Sequence, residues 1–271
     1  MVEHVAKRAS NTGTALTRAA ALWFLTAVAG QWVFVYYIAA FYGPTLVSGE
    51  FELWDRNRNM TDGYLAGDIV GNLFFAAHVF LAAVLTFGGA LQFVPQLRQR
   101  ALAFHRWNGR IFVVAAFAAG LNGLYLEWVR GTGLRAPTGT PSAIAITLNA
   151  ALILTFAALA WRAVRSKDIA AHQRWATRLF LVVNGTWFMR VGMRAWTVLT
   201  DGAFDGLNFF SFWSFAAYLL PLAIYELYLR AKAAAAPAQY ALAGSLVVLT
   251  LITAVGTVAT FFKNWRPLLL G

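Results

Sequence analysis

Three histidines, two of them followed closely by arginines, are the residues of this sequence whose types and spacing could support chemistry. Two of them precede a short repeat: Arg106–Phe112 reads R-W-N-G-R-I-F, and Arg174–Phe180 reads R-W-A-T-R-L-F. His105 stands directly before the first copy, and His172 stands before the second with one residue between. A duplication about an axis along the membrane normal would relate the two copies. A chance similarity between two interfacial Trp/Arg stretches is the alternative.

The positions of His105 and His172 indicate haem ligation as one hypothesis. Each histidine would open a helix that runs from the inner to the outer side, which places both rings at nearly equal depth. Bis-imidazole ligation of haem b requires two histidines that reach one iron from opposite faces. Nearby arginines would then neutralise the propionates: Arg106, Arg110, Arg174 and Arg178. Anchoring at the membrane interface, or binding of an anionic ligand, explains the same residues.

His78 is expected near the middle of the membrane. It lies some ten residues into the second predicted helix, which at 1.5 Å per residue places it about 15 Å below the outer surface. An ionisable group at that depth is a functional candidate by default. It could hydrogen-bond a quinone, ligate a second metal or relay protons; the structural alternative is a neutral histidine bonded across helices. His4 lies in the tail, where no specific role is predicted.

Arg190 and Arg194 lie four residues apart on one face of the fifth predicted helix. Charges in the outer half of a membrane helix need partners. Glu127 is predicted to lie within reach, and Asp68 or Asp201 could serve Arg194. A structural ion pair is one interpretation, and a site for an anion, quinone or lipid head group is the other.

Glu226 is the acidic residue expected near the inner end of the sixth helix. It could pair with the Arg174/Arg178 cluster or conduct protons. No cysteine is present, which removes disulfides, thiolate nucleophiles and thiolate metal sites.

Membrane helices must position these residues, because the chain is 60% hydrophobic and only 12% charged. The apolar residues form blocks of about twenty or more, the length needed to cross about 30 Å of hydrocarbon. Seven spans are predicted, at 19–42, 69–94, 107–129, 143–164, 175–198, 209–230 and 239–262. The fold class is therefore an all-α polytopic membrane helical bundle.

Residues 1–18 are predicted to be a cytoplasmic tail and 19–271 a single transmembrane domain. The outer loop at 43–68 would be a lid over the helix ends or an ordinary solvated loop.

The net charge of +11 is distributed unevenly between the two sides of the predicted bundle. With a cytoplasmic N-terminus, the inner segments hold most of the bases: Lys7, Arg8, Arg18, Arg98, Arg100, Arg106, Arg110, Arg162, Arg165, Lys167, Arg174, Arg178, Arg230 and Lys232. The outer segments hold fewer bases and most of the acids: Arg56, Arg58, Arg130, Arg135, Lys263, Arg266, Glu50, Glu52, Asp55, Asp62, Asp68, Asp201 and Asp205. This positive-inside pattern predicts an N-in, C-out orientation, with anionic lipids as the default partner of the basic charge and no nucleic acid.

The order of these motifs resembles a bacterial multi-pass family known as domain of unknown function 2306. The resemblance covers roughly residues 20–230 and is carried by His78, Gln92-Phe93-x-Pro95-x-Leu97-Arg98, His105-Arg106-x-x-Gly109-Arg110 and His172-x-Arg174-Trp175-x-x-Arg178. Gln173 interrupts the H-R pair that is usual in the second motif. The resemblance implies a polytopic helical bundle in the bacterial inner membrane and no settled activity. The layout is also loosely similar to that of b561-type dihaem cytochromes, by analogy only.

Three functions remain open at this point. The first is a membrane redox component with haem b between His105 and His172, and with a quinone or second cofactor at the His78/Arg190 region. The second is a non-redox protein that binds or transports an anionic lipid or small anion. The third is an accessory subunit of a larger complex, with other membrane subunits or a second copy as partners.

Overall fold

The chain folds as an all-α bundle in the computed structural model, which describes residues 2–57, 63–132, 134–135, 139–201 and 206–270, with side chains from residues 13 and 208 onward in the first and last ranges. The helices are α1 (Val2–Ser48), α2 (Ile69–Leu91), α3 (Pro95–Arg100), α4 (Leu102–Leu124), α5 (Thr140–Arg165), α6 (Ile169–Val183), α7 (Gly185–Leu199), α8 (Gly206–Ala231), α9 (Ala236–Thr260) and α10 (Arg266–Leu270). A 3-10 helix spans Phe51–Arg56, and π-turns at Tyr125–Val129 and Phe261–Trp265 extend α4 and α9.

Six continuous helices of the described chain are long and apolar enough to cross a membrane. They are Gly13–Ser48, Ile69–Leu91, Leu102–Val129, Thr140–Arg165, Asn208–Ala231 and Ala236–Leu270. Each corresponds to a span predicted from hydropathy. The polytopic helical bundle is therefore confirmed. Helix α1 also continues back through the predicted tail, to Val2.

The remaining predicted span, 175–198, consists of two helices, α6 and α7, that meet at Asn184. The Asn184 side chain donates to the Phe180 carbonyl at 2.8 Å, and its own carbonyl accepts from Trp187 N and Phe188 N. Side-chain bonding of this kind competes with the regular helical ladder. Hydropathy therefore predicts one uniform helix where the structure has a broken one.

Together α6 and α7 run antiparallel to α8 over most of its length. Near one end Arg178 on α6 bonds Glu226 on α8. Near the other end Trp196 on α7 stacks on Phe209 at 4.5 Å. The pair therefore lies beside a membrane-length helix from end to end, as a discontinuous seventh span would.

Two large apolar clusters stabilise the bundle, one in each half, and the halves are called inner and outer after the predicted orientation. The outer cluster is rich in aromatic rings and includes Phe34, Tyr37, Tyr42, Trp54, Phe75, Trp187 and Trp265. The inner cluster joins α2, α4, α5, α6 and α8 and includes Leu85, Phe112, Phe156, Leu179, Phe180 and Tyr218. Helix α5 lies between α4 and α6, while α1 packs on α9.

The outer loop packs against the helices in its described part. Trp54 and Asn57 are buried, at 2% and 6% exposure. This packing favours a structured cover over an ordinary solvated loop. Arg58, Asp62 and Asp205, three charges assigned to the outer side, lie outside the described residues.

An ion pair joins the outer ends of α2 and α4. Arg130 Nε lies 3.0 Å from Asp68 Oδ2, and Arg130 NH2 donates to Asn72 Oδ1 at 2.7 Å. Asp68 Oδ1 also caps α2 by accepting from Gly71 N at 2.9 Å. One carboxylate therefore begins a helix and neutralises a buried arginine.

Candidate functional site

The inner end of the bundle gathers both copies of the R-W-x-x-R repeat. The copies begin α4 and α6, which flank the C-terminal half of α5. In each copy the second arginine lies over the tryptophan ring: Arg110 at 4.9 Å from the centroid of Trp107, and Arg178 at 4.6 Å from that of Trp175. The two copies therefore share a local geometry as well as a sequence pattern.

His105 and His172 lie at this same end and are both half-buried. The His172 ring is anchored, because its Nδ1 lies 3.0 Å from the carbonyl oxygen of Ala160 on α5. When Nδ1 donates to that carbonyl, Nε2 carries the free lone pair, which is the arrangement common among metal-ligating histidines. His105 lies within electrostatic range of His172, Arg98 and Arg106.

The arginines near these rings fall into two groups. Arg106, Arg110 and Arg174 are exposed. Arg178 makes a bidentate ion pair with Glu226 on α8, with Nε–Oε1 at 2.7 Å and NH2–Oε2 at 3.0 Å. The predicted pairing of Glu226 with this cluster is confirmed for Arg178. Arg178 therefore connects two helices. The three exposed arginines have side chains that could bind an anionic group.

Phenylalanine rings fill the bundle centre about two turns beyond the histidines. A Cβ on Gly89 of α2 would lie 2.7 Å from the Phe112 ring and 2.9 Å from the Phe180 ring. Phe93 also packs on Phe180, with ring centroids 4.9 Å apart. A ligand held by both histidines would therefore lie on the inner side of these rings.

A second polar region lies in the outer half, around His78 and Arg190. These two side chains line a cavity together with Tyr37, Tyr42 and Asn57. The His78 Nδ1 is buried without a hydrogen-bond partner among the described residues. Arg190 NH1 donates to the carbonyl of Thr186 at 3.0 Å. The structure therefore brings together the two deep ionisable groups that the sequence singled out.

The predicted partners of the outer arginines are wrong. Arg194 donates to Asn264 in the π-turn after α9. Asp68 bonds Arg130 instead. Glu127 is 1% exposed, and its Oε1 has no partner among the described residues. The prediction matched Glu127 to the two arginines by depth alone, and no ion pair joins them among the described residues.

Sequence reasoning missed three residues of the outer cavity. Tyr37 and Tyr42 belong to an apolar run and resemble ordinary belt aromatics, while Asn57 belongs to the loop. The Asn57 amide donates to both phenol oxygens, at 2.9 and 2.8 Å. Only the expectation of a loop folded over the helix ends pointed towards this contact.

The fold and its two polar regions define a polytopic α-helical membrane protein with ionisable groups at its inner end and within its outer half. A family model described as a predicted membrane protein, domain of unknown function 2306, matches residues 75–229. The chain belongs to this family, as the histidine motifs indicated. The matched region contains His78, His105 and His172 and excludes α1 and α9. No curated protein and no solved structure matches the chain.

Proposed function

We propose that this protein is a membrane redox component that binds haem b between His105 and His172. One observation carries the proposal: two half-buried histidines open equivalent helices at one end of the bundle, and one of them is anchored through Nδ1. The anchor fixes the ring orientation and leaves Nε2 available for a metal. A haem held there would supply one-electron transfer.

The surrounding residues suit the charge of that cofactor. Arg106, Arg110 and Arg174 are exposed at the same end and could meet propionates. Arg178 and Glu226 would hold α6 against α8 and so keep the His172 helix in place. In the proposed N-in, C-out orientation, this end faces the cytoplasmic side of a bacterial inner membrane.

The cavity considered for a quinone is small. The cavity beside His78 and Arg190 measures about 50 Å³, and a single water needs roughly 10–15 Å³. A quinone ring would therefore enter only if the lining side chains moved. Haem ligation at the inner end does not depend on this region.

A second candidate function, binding of an anionic lipid head group, is favoured by the exposed arginines of the inner end. Arg98 and Arg100 on α3 extend the exposed basic surface formed by Arg106, Arg110 and Arg174. Phosphate oxygens match such guanidinium clusters. Lipid binding would survive the loss of both imidazoles, whereas haem binding would not.

Visible absorption spectroscopy tests the haem proposal. Protein purified from cells with ample haem should show sharp b-type bands in its reduced-minus-oxidised spectrum. His105→Ala and His172→Ala should each reduce the bound haem at least about tenfold, because an axial ligand is lost. Added imidazole should restore part of the spectrum in each variant.

His78→Gln is the matched control, because it removes an imidazole from the other half of the bundle and should leave the bands unchanged. Size-exclusion elution shows whether each variant remains folded. A colourless wild-type preparation would reject the proposal. Bands that persist in both alanine variants would reject the assigned ligands.

A further inference from the structure

An open groove runs between α1 and α9 at the inner end of the bundle. It measures about 380 Å³, within the range of roughly 300–1,000 Å³ that small-ligand pockets occupy. Its walls are alanine, leucine and valine side chains with one glycine, and its polar residues are Arg18 and Tyr240. The groove therefore combines an apolar channel with one permanent charge.

The groove forms because α1 and α9 pack together on one side only. In the middle of the bundle, a Cβ on Gly30 of α1 would lie 2.8 Å from Thr257 Oγ1 on α9. Nearer the inner end, Leu16 and Leu246 belong to one buried apolar cluster. On the open side of α9, a Cβ on Gly244 would meet nothing within 4 Å. The two helices are therefore firmly joined, and the groove between them stays open.

The groove has the length and the polarity that suit part of a lipid acyl chain. It extends from Ala15 to Leu22 on α1 and from Tyr240 to Val247 on α9, about 10 Å on each helix at 1.5 Å per residue. Residues 19–49 and 233–262 contain no charged side chain. Leu22 and Val247 are 50% and 43% exposed. Beyond Arg18 the groove therefore offers only apolar surface.

Arg18 supplies the charge of the groove. It is exposed and makes no ion pair with the described residues. Neither α9 nor residues 13–48 of α1 contain an aspartate or glutamate. Tyr240 is 52% exposed and adds a hydroxyl at the same end, as tyrosine often does at a membrane interface. An occupant with a negative group at this end of the groove is therefore favoured.

This charge favours a lipid over a second copy of the chain as the occupant. In a two-fold dimer the same surface of both copies would meet, so two Arg18 side chains would approach each other without an acid from either helix. Like charges repel strongly where water is scarce. A phosphodiester instead supplies the missing negative charge, and its acyl chain matches the apolar walls.

We propose that the groove binds one anionic phospholipid, with an acyl chain between α1 and α9 and the phosphate on Arg18. The Tyr240 hydroxyl would donate to the same phosphate. The site is separate from the histidine pair and from the exposed basic surface of α3, α4 and α6. A lipid bound there would contact both helices and would stabilise their packing at the inner end.

Thermal unfolding of the full chain in detergent tests the proposal, with dioleoylphosphatidylglycerol as the probe and dioleoylphosphatidylcholine as the reference. A ligand that binds only the folded state raises Tm in a saturable manner. We expect a rise on the order of 3–6 °C at a phosphatidylglycerol concentration of about ten times Kd. Phosphatidylcholine should bind at least about tenfold more weakly, because its choline would lie near Arg18. Glycerophosphoglycerol, the same head group without acyl chains, should give no rise.

Three variants assign the effect to the groove. Arg18→Gln should weaken the apparent affinity about tenfold, the equivalent of one hydrogen bond to a charged group. Arg165→Gln is the matched control, because Arg165 is an exposed arginine at the inner end of α5, and it should behave as wild type. Gly244→Leu should unfold near the wild-type Tm without lipid but lose the saturable rise, because the leucine side chain would occupy the groove.

Four outcomes would overturn the proposal. The first is a Tm that phosphatidylglycerol does not change, and the second is an equal response to the two lipids. The third is a saturable rise that persists in both Arg18→Gln and Gly244→Leu, or that Arg100→Gln removes and Arg18→Gln does not, since the lipid would then lie elsewhere. The fourth is a dimer, detected by native mass spectrometry, that Gly244→Leu dissociates, because a second copy would then fill the groove. The expected mass is that of one chain with one phosphatidylglycerol.

Discussion

Replacing Gly256 with leucine should prevent α7 from packing on α9 and should remove most of the folded protein. A Cβ at this position would overlap the backbone oxygen of Val191 and would lie 2.8 Å from Val191 Cγ1 and 3.0 Å from Ala195 Cβ. Overpacking costs about 1–3 kcal/mol where side chains can adjust. We expect more than about 3 kcal/mol here, because a helix backbone cannot move aside as a side chain can.

Gly244→Leu is the matched control, since Gly244 lies on the same helix and a Cβ there would meet nothing within 4 Å. It should retain wild-type yield, because leucine is also the better helix former. Size-exclusion profiles and Tm values compare the two variants, with Gly256→Ala expected between them. Equal stability of the two leucine variants would contradict the close contact of α7 with α9.

The membrane spans were predictable because hydropathy is a property of consecutive residues. The fourth predicted span, 143–164, lies within Thr140–Arg165, and the second begins at Ile69 as expected. The break at Asn184 was not predicted, although Asn-Gly at 184–185 is a turn signal. Apolar composition continues on both sides of that dipeptide and conceals the interruption.

The candidate sites were predictable in part, for a related reason. The deep position of His78 and Arg190 and the shared end of His105 and His172 follow from counting residues along helices. Partners of charged groups depend on side-chain direction and on contacts between distant segments. Arg194 meets Asn264, 70 residues further along the chain, and no local pattern indicates such a contact.

Asp68→Asn should be among the most destabilising conservative substitutions in the chain. The side chain of Arg130 is 3% exposed, and its Nε lies 3.0 Å from the Asp68 carboxylate. Removing one partner of a buried ion pair costs about 3–5 kcal/mol, because an uncompensated charge stays buried. The Asp68 side chain is 35% exposed, so we expect a loss at the lower end of this range. Asparagine caps a helix about as well as aspartate, so the bond to Gly71 N should persist. The measured loss would therefore report the ion pair together with its hydrogen bond from Arg130 Nε, and not the helix cap.

Asp168→Asn provides the matched control for that substitution. The exposed Asp168 caps α6 through the same geometry, with Oδ1 accepting from Ala171 N at 2.9 Å. Its replacement should change the free energy of unfolding by less than about 0.5 kcal/mol.

A double substitution then separates charge from packing at the outer end of the bundle. In Asp68→Asn/Arg130→Gln neither charge remains, so the doubly substituted protein should be more stable than Asp68→Asn alone. Thermal or denaturant unfolding of the four proteins of this cycle gives the coupling free energy between the two side chains. Additive losses would show that the two residues do not depend on each other, and the ion pair would then not be what holds α2 against α4.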